Sequence, residues 1–161
     1  MRDYLFRGKR VDNGEWVEGY YVYDESGQIT ENSTAYIYYL NTHPCGYSLI
    51  PFEVIPESVG QYTGMNDKNG RKVFEGDIVL TQPFYDRPYS DKRKSKQFIG
   101  VVEYKIRTFN GNKFYAKQDY QAEWGLKFYE DFGKYIHYSW SELWNCEVIG
   151  NVFENKDLLE G

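Results

Sequence analysis

Short alternating runs, separated by glycine-bearing turns, leave this chain little it can fold into except sheet. In "EWVEGYYVY" (15–23), Trp16, Glu18, Tyr20 and Val22 fall on one side and Val17, Gly19, Tyr21 and Tyr23 on the other. That is the period of two of a β-strand. Asn13-Gly14 precedes it, a hairpin dipeptide that closes the shorter run "DYLFRGKRV". "DESGQ" turns the chain again, and "AYIYYL" (35–40) is too short and too aromatic for a helix. Pro44, Pro51 and Pro56 then break any helix across 44–60 and confine strands there to short pieces or edges. "FEVIPESVGQY" therefore reads as short extended segments joined by bends.

The second half repeats this cadence. Ile78-Val79-Leu80 reads as a strand, and 83–96 as a long polar loop holding Pro83 and Pro88. "QFIGVVEYKIRTF" (97–109) alternates, with Val102, Tyr104 and Ile106 expected inward and Glu103, Lys105 and Arg107 toward water. "NGNK" (110–113) supplies the turn after it. Residues 114–138 show no clean period and stay open between a strand pair and a short helix. Ser139-Trp140-Ser141-Glu142 is a capping-box pattern that predicts one helical turn through about Trp144. "CEVIGNVF" (146–153) is a closing strand, and "NKDLLEG" a short helical or loose tail. The fold expected is mainly β: short twisted strands forming a small SH3-like barrel or packed sheets, with one or two short helices. The SH3-like alternative rests on the order glycine-aspartate-strand, variable loop, "GVVEY" and final "EVIGNVF" strand, which is fold analogy and sets no function.

Composition supports that expectation. The 161 residues suit one domain, 1–161, with room for an N-terminal β lobe (about 1–60) and a barrel-like lobe (about 61–155) carrying the 83–96 insertion. Seventeen Tyr, ten Phe and four Trp take over part of the usual aliphatic load, and such rings favour pleated, half-buried surfaces. Tyr20, Tyr21, Tyr23, Tyr36, Tyr38 and Tyr39 read either as core and cross-strand pairs or as a patch for a partner or a second copy of the chain. No run approaches the ~18–20 apolar residues that span a bilayer, and no apolar core follows the charge in Met1-Arg2-Asp3-Tyr4. A cytoplasmic setting and reduced thiols are expected, with Cys45 and Cys146 each buried and inert.

Asp67-Lys68-Asn69-Gly70 has the look of a calcium loop, but Arg71 stands at the fifth position and Ile78 at the twelfth, where oxygen ligands belong. As a turn every position fits: Asp67 accepts a nearby backbone N–H, Asn69 tolerates a left-handed backbone, and Gly70 adopts positive φ without steric cost. His43-x-Cys45, with His137 and Cys146, does not match structural zinc spacing. Ser48 in "GYSLI" lacks the glycine of a nucleophile elbow, and "GYSLIPF" and "GNKF" lack P-loop or Rossmann context. Carboxylate pairs such as Glu15 with Glu18, or Glu130 with Asp131, look like solubilising charge. No catalytic, metal or cofactor-binding residue is assigned, and a cysteine–histidine pair requires one of the two thiols to meet a histidine in space.

The sharpest local feature is a loop of opposite sign. "DRPYSDKRKSK" (86–96) carries +3 within a chain of −5, leaving −8 for the rest. Arg87, Lys92, Arg93, Lys94 and Lys96, with Tyr89 for stacking, form a candidate surface for nucleic acid or a partner; the competing reading is a solvated loop. Screening acts over about 8 Å in physiological salt, so an arm this basic acts locally despite the acidic remainder.

"LFRGKRVDNGEWVEGYYV" (5–22), "VIPESVGQYTG" (54–64), "DKNGRKVFEGDIV" (67–79), "GVVEY" (100–104) and "EVIGNVFEN" (147–155), in that order, resemble the YopX family of phage and prophage proteins. The resemblance implies a small, mostly β, phage-encoded protein without an assigned activity, and it supplies no catalytic residue. Residues 83–96 and 107–140 match none of its patterns. The function expected is that of an accessory protein in a bacterial host's cytoplasm, acting by binding to a host or phage protein. A homo-oligomer is also in view, nucleic acid through 87–96 is the alternative, and no membrane is involved.

Overall fold

The computed structural model describes residues 4–24, 34–85, 95–109, 119–128 and 145–160. The chain divides into two units, Met1–Gly64 and Met65–Gly161. Both are antiparallel sheet. Among the described residues the helical pieces include short 3-10 turns at Pro56–Ser58 and Lys156–Leu159.

In the first unit, β1 (Phe6–Lys9), β2 (Trp16–Asp24), β3 (Thr34–His43), β4 (Gly46–Val54) and β5 (Gly60–Asn66, which runs past the unit boundary) lie in the order β4-β3-β2-β1-β5. The β1–β2 hairpin closes as read, with Gly14 N–H donating to the Arg10 carbonyl at 3.1 Å. β4 takes the second of the two forms expected of a proline-bearing strand, an edge rather than a short piece. It is one nine-residue strand running through Pro51, and it survives because it is the edge of the sheet, where a missing N–H costs no ladder bond.

Residues directly opposite across antiparallel strands share a face. The pairs Ala35–Val54, Ile37–Phe52, Tyr21–Ile37, Phe6–Gly19 and Gly8–Val17 therefore define an inner face. There Ala35, Ile37 and Val54 are fully buried, with Phe6, Val17, Tyr21 and Val59 packed on them. The Ser58 hydroxyl accepts the Lys9 N–H at 2.8 Å and donates to the Ile55 carbonyl at 2.6 Å, tying the proline-rich stretch to β1.

In the second unit, β6 (Lys72–Phe74), β7 (Asp77–Leu80), β8 (Phe84–Tyr85), β9 (Ser95–Lys96), β10 (Ile99–Phe109), β11 (Asp119–Phe128) and β12 (Glu147–Asn151) follow in chain order. Four of them form a sheet in the order β11-β10-β7-β12. Val73, Val79, Val102, Trp124, Leu126, Cys146 and Val148 make its core. The stretch left open at 114–138 contains β11, paired with β10 from Gly100–Phe128 to Phe109–Asp119. The turn at 110–113 and the capping box at 139–142 lie outside the described residues.

The second unit departs from the sequence pattern in two places. Among the described residues no pairing joins the edge strands β11 and β12, so the sheets are open and the SH3-like barrel is not formed. Tyr104 lies on the expected face, with Val102 and opposite Trp124, whose ring it meets edge-on at 5.0 Å, but it is 51% exposed rather than buried. Val101 and Val102 are both buried, because β10 starts between β7 and β11 with cover on both faces.

Candidate functional site

The Asp67 turn is a structural corner. Its carboxylate is buried and accepts three backbone N–H groups: Asn69 at 2.8 Å and Arg71 at 2.9 Å on Oδ1, and Val148 at 3.1 Å on Oδ2. Gly70 turns the chain with φ of 81°, and its N–H donates to the Asp67 carbonyl. Burial pushes the Asp67 carboxyl up, but the N–H donors of Val148, Arg71 and Asn69 outweigh it and hold the group below the usual range. Its oxygens are engaged by the backbone of β12 as well as of its own turn. The Lys68–Glu147 ion pair at 2.6 Å beside it is largely exposed and contributes little. Among the described residues no group of three or more His, Cys, Asp or Glu side chains is placed to hold a metal.

The two thiols differ. Cys146 is buried as expected, and burial, followed by the nearby Asp67 charge, pushes it up to about 12. Cys45 is exposed in the β3–β4 turn, contrary to expectation, because its hairpin end projects beyond the inner core. A maleimide reagent at neutral pH should label Cys45 rapidly and Cys146 only on unfolding, as peptide mass mapping would register. Equal labelling of both in the folded protein would contradict the buried position of Cys146.

The sequence-predicted site residues Arg87, Tyr89, Lys92, Arg93 and Lys94 lie outside the described residues. Lys96 falls in β9, whose pairing with β8 (Phe84–Lys96, Tyr85–Ser95) brings the ends of that loop together. His137, Glu130 and Asp131 also lie outside the described residues, and His43 is exposed in the β3–β4 hairpin.

The first unit's sheet has a second face. The rows Tyr20–Tyr38–Pro51, Leu40–Leu49 and Thr42–Tyr47 lie opposite the inner core, with Val22–Tyr36 beside them. Tyr47 is 75% exposed, Tyr20 53%, Leu49 52%, Leu40 41% and Val22 39%. Tyr36 and Tyr38 are half-buried, their rings 6.4 Å apart. Among the described residues charge surrounds this patch: Glu18 and Asp24 on β2, Arg7 and Lys9 on β1 opposite Glu18 and Trp16, and Glu53 on β4 opposite Tyr36. The tyrosines thus divide between the two faces by strand parity, although Tyr23 and Tyr39, on the parity of the inner face, are exposed as well. Tyr21 turns inward against Phe6 at 5.4 Å, while Tyr20 one residue earlier turns out. Alternation in β2 was legible; the outward rows also depend on the β2–β3 and β3–β4 registers, which no local pattern specifies.

A family model described as YopX protein matches residues 5–160. The chain belongs to the YopX family. Among solved structures it is similar to the crystal structure of protein EF1440 from Enterococcus faecalis, at 20% identity and a TM-score of 0.42, covering 99% of each chain. No curated protein matches this YopX-family sequence. Among its described residues no helix is long and apolar enough to cross a membrane.

Proposed function

We propose that this YopX-family chain is a phage or prophage accessory protein that works in the cytoplasm of its bacterial host by binding another protein. The supporting observation is the contiguous uncharged face made by Tyr20, Val22, Tyr36, Tyr38, Leu40, Tyr47 and Leu49. Single exposed apolar residues are ordinary on a protein surface, whereas contiguous ones bordered by charge mark a surface that another molecule covers. Tyrosine suits such a surface, offering a large rigid area with a hydroxyl for the rim. The partner that fits is a protein with an apolar, weakly charged surface.

The test is affinity capture from host cells with the tagged wild type and a Tyr20→Lys/Val22→Lys variant. Both positions are exposed, so the fold tolerates the change. A protein enriched by the wild type and reduced at least about tenfold by the variant supports the reading, the cost of burying two unpaired charges at an interface. Recovery of the bait alone, or equal capture by both, would count against it.

The alternative is nucleic-acid binding through the 87–96 arm, favoured by five cations in eleven residues of an otherwise acidic chain. Contact with three or four phosphates gives log K a slope near −3 against log salt. Replacing Lys92, Arg93, Lys94 and Lys96 by Ala then abolishes retention of DNA and RNA at low salt. Absence of retention by the wild type, or unchanged retention by the variant, removes this reading.

A further inference from the structure

β4 ends the first unit's sheet, and Pro51 reports which way its backbone groups point. Tyr38 and Pro51 are direct partners, yet Pro has no N–H, so the two cannot exchange both bonds of a hydrogen-bonded pair. This is the other kind of antiparallel pair, in which both backbones face away from each other. Residues of the same parity on β4, namely Tyr47, Leu49 and Glu53, turn their N–H and C=O groups outward too. Glu53 bears this out independently: its carbonyl accepts the Val11 N–H at 3.0 Å from beyond the edge. The Arg10–Val54 bridge covers that same end. Among the described residues the rest of the edge is uncovered, from Tyr47 to Pro51.

That window has its midpoint at Leu49. We infer that the open edge of β4 pairs antiparallel with the β4 edge of a second copy, about a two-fold axis at Leu49. Leu49 then exchanges both its N–H and its C=O with Leu49 of the other copy. Tyr47 donates to the Pro51 carbonyl of the other copy, which has no N–H to return, so the Tyr47 carbonyl keeps its bond to water. The arrangement is isologous, so the same five residues serve both partners.

Charge permits the match. "GYSLIPF" (46–52) carries none, so the strand lacks the lysines or acidic residues by which edges usually repel their own kind. Glu53 lies across from Cys45 of the other copy and faces no like charge in the register. The chain turns at Pro44 and Cys45, before it would meet Val11 of the other copy. The five outer strands of each copy become one continuous sheet, and the two uncharged faces lie side by side. This inference rests on backbone geometry, independently of the partner reading above.

The test is sedimentation velocity over a concentration series. The wild type is expected to be a dimer. Leu49→Pro removes only an outward N–H, as Pro51 already does, and should keep the fold while weakening association at least about tenfold through the two symmetric bonds lost. Leu49→Lys, a change at an exposed side chain, sets like charges together and gives a monomer if Leu49→Pro fails to fold. Tyr20→Lys/Val22→Lys leaves the dimer intact, which separates this interface from the partner face. A wild type that stays monomeric at every concentration, or lysine at position 49 leaving the dimer unchanged, overturns the proposal.

Discussion

Gly19→Ala is expected to destabilise the first unit by about 3 kcal/mol or more, enough to remove much of a small unit's stability. The reason is close approach. A Cβ built on Gly19 collides with the Tyr38 carbonyl oxygen and comes within 2.8 Å of its carbon and 2.9 Å of Ile37 Cγ2. The carbonyl belongs to the strand backbone, and Ile37 is fully buried, so neither yields cheaply. Gly8→Ala is the milder comparison, since the three atoms nearest its Cβ are side-chain atoms of buried Val54 at 3.0–3.1 Å rather than a backbone carbonyl. Urea denaturation should rank Gly19→Ala well below Gly8→Ala, and equal midpoints for Gly19→Ala and wild type would contradict the β2–β3 geometry.

Asp67→Ala is expected to cost about 4 kcal/mol, since three backbone N–H groups lose a charged acceptor at a buried site. The bond to Val148 spans 81 residues of sequence, so the loss is felt in β12 as well as in the turn. Asp67→Asn keeps one acceptor but turns an NH2 toward a backbone donor, and should fall between the two. The pH dependence follows from the carboxyl being held below its ordinary 3.8 in the folded chain. In the unfolded chain it takes up a proton at higher pH than in the folded one. Its contribution is therefore complete above the unfolded value and is lost as pH falls through the folded value. Thermal unfolding of the wild type between neutral pH and pH 2–3 should show this acid loss, and the Asp67→Ala curve should be flatter over the same window. An unchanged midpoint for Asp67→Ala at neutral pH would sink the clamp.

The sequence makes the local devices visible. Asn13-Gly14, Asp67 to Gly70 and the run Ile78-Val79-Leu80 each carry their own turn or strand chemistry, and the structure places them as read except that Gly70 alone, and not Asn69, takes the left-handed backbone in its turn. What lies between distant residues is not legible. Nothing near Asp67 announces Val148, and Pro51 limits "GYSLIPF" to a short piece or an edge without choosing between them. Tyr104 alternates correctly with Val102, yet its exposure depends on how far cover extends along β10. Open sheets and a closed barrel share the same strands and turns, and differ only in whether the last edges meet. The same holds for the candidate surface. Tyr20 and Tyr38 are eighteen positions apart in sequence and become neighbours only through the β2–β3 register.

If the outer tyrosine face is the surface that another protein covers, its rings lose solvent access when that protein binds. Hydroxyl-radical footprinting of the protein, alone and with its captured partner, reads that face ring by ring. Tyr20 and Tyr47 should react strongly in the free protein and Tyr21 weakly, with added partner protecting Tyr20 and leaving Tyr104 on the second unit reactive. Protection confined to Tyr89 and the 87–96 arm, with Tyr20 as reactive as before, would contradict it.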